Sequence, residues 1–211
     1  MLHPSRIPAP PRLAPIVLAC LCLTVGPAAM ATTYLVEGHA FESSETLHEQ
    51  TLVLNGASGS NILSAKATVV GFYLPEKKTT VEGVTQLKGS KRIRLIALRD
   101  ITSKDLGTVL MDRIRQNATP DEKIENIMQI AQVGMVFSAA PQLAKGDVAT
   151  IDWVPARQHT EFRINGKLIG EPVVGEAFYP MFMKVWIGPR TRPATRNNLL
   201  GTGEALTVAG Q

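Results

Sequence analysis

Few side chains in this 211-residue chain have the types and spacing that catalysis requires. Thr68 lies in the middle of an apolar, β-branched run, where its hydroxyl either bonds a ligand or is simply a half-buried strand threonine; both readings stand. Arg113 follows an apolar helical stripe. Turned inward it would anchor an anion; the reading taken is that its stem lies along apolar surface and its charge reaches water. His39, His48 and His159 fall in expected loops without metal-ligand spacing, so they read as surface histidines and no metal site is expected. No Ser-His-Asp order or carboxylate pair converges on one place, and Gly201-Thr202-Gly203 is too bare for a phosphate loop. Trp153, Trp186, Phe178 and Phe182 read as core, and no cofactor is expected.

The elements that must position these residues are strands, three helices and a further short basic helix. Thr33–Val36 and Thr51–Leu54 are strand candidates, with a loop expected over 38–50 and a turn at Asn55-Gly56. A long strand, Leu63–Leu74, ends at Pro75. Alternation places Ser64, Lys66, Thr68, Val70 and Phe72 on one face and Ala65, Ala67, Val69, Gly71 and Tyr73 on the other. Gly71 suggests a bulge or the close approach of another backbone. Lys91–Leu98 follows as a strand. Thr102 and Thr119 then carry N-terminal helix signals, the second with Pro120 at the first helical position and Glu122 reaching back. Ile124, Ile127, Met128, Ala131 and Met135 make the expected inward stripe of that second helix. Val148–Val154 is a strand, and Asn165-Gly166 joins a hairpin. A helix over Gly175–Ile187, a short basic helix over Ala194–Leu200 and a loose tail over 201–211 complete the chain. Strands, two helices, hairpin, helix is an α+β order: an antiparallel sheet with a layer of helices on one face.

Composition fits one globular domain, with 45% hydrophobic residues. Residues 1–31 read as a secretory signal peptide: Arg6 and Arg12, an apolar run from Ala14 to Val25, and the cleavage pattern Ala29-Met30-Ala31. Residues 32–211 would then be a single exported, periplasmic domain with no stable membrane insertion. A lipoprotein reading around Cys20 is disfavoured because Leu18 stands where a smaller residue is usual. Both cysteines, Cys20 and Cys22, lie in the signal, so neither disulfide nor thiol chemistry is expected of the mature chain. Without Arg6 and Arg12 the net charge falls from +4 to +2, and no dense basic run remains to suggest nucleic-acid binding.

Read in order, LNGA…VVGFYLP, KRIRLIALRDIT, SKDLGTVLMDRIRQN, KGDVATIDWVPARQHTEFRINGKLIGE, FMKVWIG and LLG resemble the chalcone isomerase-like family over nearly all of residues 32–211. The resemblance implies an open-faced β-sandwich with helices on one face. In the plant enzymes of the family, an arginine from the first loop and a threonine from the long strand act on the substrate. A tyrosine, an asparagine seven residues later, and a serine or threonine before the helix-ending Ile-Gly join them. Here those places fall on Ser60, Thr68, Leu106, Arg113 and Val185, so only the threonine keeps its type. Ring closure moves negative charge onto a carbonyl oxygen, which cations and donors should stabilise. The resemblance therefore implies a non-catalytic protein holding a small, mostly apolar molecule. The expected cleft is lined by Ser60, Lys66, Thr68, Val70, Leu106, Leu110 and Val185, with Arg113 near its mouth. Loss of the loop arginine also weighs against the fatty-acid-binding version of the fold. The alternatives are an isomerase working on a chalcone-like enone and a protein-interaction module with a filled core.

Overall fold

The computed structural model describes residues 32–62, 65–139 and 142–210. Residues 1–31, expected to be a signal peptide, with Cys20 and Cys22, as well as Leu63, Ser64 and Pro141, lie outside the described residues. The strands are β1 (Thr33–Val36), β2 (His39–Glu42), β3 (Ser44–Leu47), β4 (Gln50–Ile62), β5 (Ala65–Leu74), β6 (Lys91–Ala97), β7 (Val148–Val154), β8 (His159–Ile164), β9 (Lys167–Leu168), β10 (Val173–Val174) and β11 (Thr207–Val208). The helices are α1 (Val81–Gln86), α2 (Ser103–Asn117), α3 (Pro120–Glu125), α4 (Ile127–Ala139), α5 (Phe178–Ile187) and α6 (Pro193–Leu199).

The fold is α+β. An antiparallel sheet runs in the order β10-β8-β7-β6-β5-β4-β3, with β9 on β8, and a small sheet runs β11-β1-β2. Alternation along β5 separates two cores. Val70 and Phe72 pack with Ile93, Leu95 and Ile151 against Leu110, Ile114, Phe182 and Trp186 of the helices. Val69 and Tyr73 point the other way and pack with Phe41 and Leu52, where Tyr34 and Val36 of the small sheet also lie. The helices thus cover one face, as expected, and a second, smaller sheet lies against the other.

Two expected irregular segments are strands. Residues 38–50, expected as a loop, form β2 and β3. The expected turn at Asn55-Gly56 lies inside β4, which runs on through it with a register shift between Leu54 and Gly56. Long-range bonds override the local turn preference there. Asn55 Nδ2 donates to Leu199 O at 2.8 Å and Lys78 O at 3.0 Å, while its Oδ1 accepts from Lys78 N at 2.7 Å. Gly56 lets α6 approach, since a Cβ there would stand 2.0 Å from the Asn198 carbonyl oxygen. Gly71 meets the Phe41 ring, 2.7 Å from a would-be Cβ, rather than a backbone.

The capping signals are as read. Thr102 Oγ1 accepts from Asp105 N, and Thr119 and Glu122 form a reciprocal capping box. The second helix, however, breaks at Asn126. In α4 the inward residues are Val133, Val136 and Phe137. Ile124, Ile127, Met128 and Met135 of the expected stripe are 64–75% exposed. Asn165 and Gly166 both have positive φ, 49° and 78°, as a type I′ hairpin needs. The tail is not wholly loose, because β11 pairs with β1.

Candidate ligand-binding site between the sheet and the helices

Helix α2 crosses the helix-facing side of the sheet, and its successive turns bring different chemistry to it. Leu106 and Leu110 face Thr68 of β5 across an apolar cavity of about 50 Å³, whose other walls include Phe137, Phe162 and Trp186. One turn further, Arg113 reaches β4. Its Nη1 donates to Ser60 Oγ at 3.3 Å and its Nη2 to the Asn61 carbonyl. Ser60 stands directly opposite Thr68 in the β4–β5 register, so the apolar and cationic parts are neighbours.

Arg113 therefore turns inward; it does not extend to water as its helical position suggested. Ser60, Asn61, Arg113, Val185, Arg190 and Arg192 border a second cavity of about 120 Å³, with no acidic residue in its lining. No carboxylate pairs with Arg113 among the described residues. Burial, helped by the charge of nearby Arg192, lowers the Arg113 pKa from its usual value, yet a guanidinium stays protonated. An inward cation held by neutral acceptors alone favours an anion beside it. Asn117 fixes the facing loop. Its Nδ2 donates to Arg113 O at 3.0 Å and its Oδ1 accepts from Arg190 N at 2.8 Å, tying the end of α2 to the segment carrying Arg190 and Arg192.

The structure distributes the expected cleft residues over more than one place. Thr68, Leu106 and Leu110 meet at the apolar cavity; Ser60, Arg113 and Val185 meet at the cationic one. Val70 is fully buried in the helix-side core and lines neither. Lys66 is elsewhere. A second register shift, between Ser60 and Asn61, breaks the alternation of β5 and sends Lys66 to the small-sheet side, where it pairs with Glu37 at 2.7 Å. His159, read as a surface residue, is 9% exposed and bonded to Glu161 at 3.0 Å. Trp153, Trp186, Phe178 and Phe182 are core residues. Among the described residues no group of His, Cys, Asp and Glu could hold a metal ion, and no helix is long and apolar enough to cross a membrane.

The model of a family described as chalcone isomerase-like matches residues 33–201. The chain belongs to the chalcone isomerase-like family. Its fold is also that of the crystal structure of an Arabidopsis thaliana fatty-acid binding protein. That likeness has a TM-score of 0.60 at 13% identity and covers 79% of this chain and 95% of the plant chain. A search of curated proteins for sequence relatives finds no match. Within the chalcone isomerase-like fold, the position expected to carry the loop arginine is Ser60, and the guanidinium beside it comes instead from α2. The sequence assigns no site role to Arg192, Asn61, Asn117 or Phe137. Only the basic composition of 190–196 hinted at the first, because the others depend on contacts distant along the chain.

Proposed function

We propose that this is an exported, non-catalytic binding protein for a small, mostly apolar molecule with an anionic head. The apolar part enters between sheet and helices, over Thr68, Leu106 and Leu110, and the head sits at Arg113. The observation that carries this reading is the Arg113 guanidinium, turned inward beside an apolar cavity with no carboxylate among the described residues to neutralise it. The fatty-acid-binding character of the plant neighbour agrees with it, at the level of fold alone. The apolar cavity of about 50 Å³ holds a few water-sized groups, so an acyl chain needs side chains to move. Phe137 is placed for that, because it lines both the cavity and an open surface cleft between α2 and α4. The export signal in residues 1–31 supports periplasmic residence.

The test is native mass spectrometry of protein purified from the periplasm, followed by titration with dodecanoate and dodecanol. The mature chain should begin at Thr32, and dodecanoate should bind more tightly than the alcohol. Chalcone turnover should stay at background, since losing one charge-stabilising donor typically costs roughly a hundred- to a thousand-fold in rate. Saturable binding of neither probe, with no co-purifying molecule, would sink the reading. The small cavity and the exposed apolar side of α3 and α4 would then favour an interaction module.

A further inference from the structure

At the other end of β6 lies a lysine that the ligand cleft does not use. Lys91 opens the strand and stands opposite Trp153 of β7, whereas Ala97, which pairs with Thr68, closes it. At about 3.4 Å per residue the two positions are roughly 20 Å apart. Lys91 is on the helix-facing side, in phase with Ile93 and Leu95, and is 3% exposed. Its Nζ donates to the Thr85 carbonyl at 3.4 Å, a long bond to the last turn of α1. No carboxylate pairs with it among the described residues. The nearest charges are Lys88 and Glu176, which pair with each other at 2.9 Å.

Beside Lys91 is a cavity of about 130 Å³ whose walls include Trp153, Pro155, Pro180, Gln86 and Gln158, with the Lys88–Glu176 ion pair also on its lining. Cavities of about 150 Å³ take up benzene, so this one is on the scale of a single ring or a short acyl chain. Burial, helped by the charge of Lys88 and opposed by Glu176, brings the Lys91 pKa down to about 8. A buried ammonium with one long hydrogen bond is poorly solvated, and its neutral amine is a nucleophile. A structural lysine would be expected to pair with a carboxylate, and among the described residues this one pairs with none; its one hydrogen bond is the long one to the Thr85 carbonyl.

We propose that Lys91 and its cavity form a second site, one that captures small aldehydes as an imine. The neutral Nζ attacks the carbonyl carbon while the carbonyl oxygen takes up a proton, giving a carbinolamine. Loss of the hydroxyl as water, with the amine's protons returned to solvent, leaves a C=N bond that protonates to the iminium. No electrons are gained or lost. Trp153, Pro155 and Pro180 hold the aldehyde's apolar substituent, and Gln86 and Gln158 supply polar contacts at the rim.

The test is reductive trapping with benzaldehyde and cyanoborohydride at pH 7, with peptide mapping of the benzyl adducts. Lys91 should be modified on the order of tenfold or more faster than exposed Lys104 and Lys167, since a pKa of about 8 leaves roughly a tenth of its amine neutral at that pH. Its rate should level off above about pH 8. Lys91→Met should abolish the fast phase. Lys88→Gln, which leaves Lys91 in place, should slow it at pH 7 by restoring some of the lost basicity. Modification of Lys91 no faster than that of the exposed lysines, or protection of Lys91 in folded wild-type protein, overturns the proposal.

Discussion

Arg113 Nη1 stands 3.3 Å from Ser60 Oγ, so a helix and a strand meet through a guanidinium and a hydroxyl at the junction of an apolar and a cationic cavity. Aligned by sequence, Ser60 falls where the family resemblance expects a loop arginine. In space, a cation reaches the same strand from the opposite wall.

Replacing Arg113 by Gln keeps the length and some hydrogen bonding but removes the charge. Hydrogen bonds to charged groups are worth about 1.5–3 kcal/mol. Dodecanoate affinity should therefore fall roughly 10- to 150-fold, with dodecanol affinity little changed. Isothermal titration with both probes separates the two outcomes, and an equal loss for both would remove Arg113 from the head-group site.

Leu106→Trp and Thr68→Val probe the apolar cavity. The indole has nowhere to go in a space of about 50 Å³ except across it, so uptake of either probe should be blocked. The valine should leave purely apolar ligands unaffected and weaken those with a polar group near β5. Displacement of a fluorescent fatty-acid analogue reports both.

Glu122 carries a pH dependence of stability. Burial alone would raise its pKa. A hydrogen bond from Lys184 Nζ at 2.5 Å, bonds from Thr119 and the Lys184 charge outweigh burial and hold the carboxyl below its usual value. The stabilisation is present above the unfolded pKa, about 4.3, and is lost as pH falls through the lower folded value. Glu122→Gln keeps the capping acceptor but loses the charge. It should be less stable than wild type at pH 7, and the two urea midpoints should converge as the pH falls through the lowered folded value.

Gly56→Ala tests the contact between β4 and α6. The new Cβ would meet two backbone oxygens, Asn198 O at 2.0 Å and Leu199 O at 2.8 Å, and neither is the end of a flexible side chain. Overpacking typically costs about 1–3 kcal/mol, and rigid backbone puts this case at the upper end or beyond. Chemical denaturation should show that loss; a neutral result would mean that α6 is free to shift.

The legible parts of the fold were those set by neighbours in sequence. The two faces of β5, the caps at Thr102 and Thr119 and the Asn165-Gly166 turn each depend on residues a few positions apart. Asn55-Gly56 carries the same hairpin signal, but there the Asn55 amide is committed to Lys78 and Leu199. In α4, apolar residues surround the helix, and the break at Asn126 resets its phase; period alone could not choose between the Val133–Phe137 face and the Ile127–Met135 face. The site shows the same division. Thr68, Leu106 and Leu110 follow from strand and helix period, whereas the excursion of Lys66 follows from a register shift and the inward turn of Arg113 from acceptors on β4.

The pairing of β11 with β1 has a practical side. Tyr34 and Val208 are register partners, so the first and last strands lie about 5 Å apart. A linker of a few residues would join them, and the exposed Asn165-Gly166 tip offers a place to open the chain instead. A circularly permuted protein made this way would keep both sheets intact while freeing its new ends on the β8–β9 hairpin, away from any tag-induced disturbance of the small sheet.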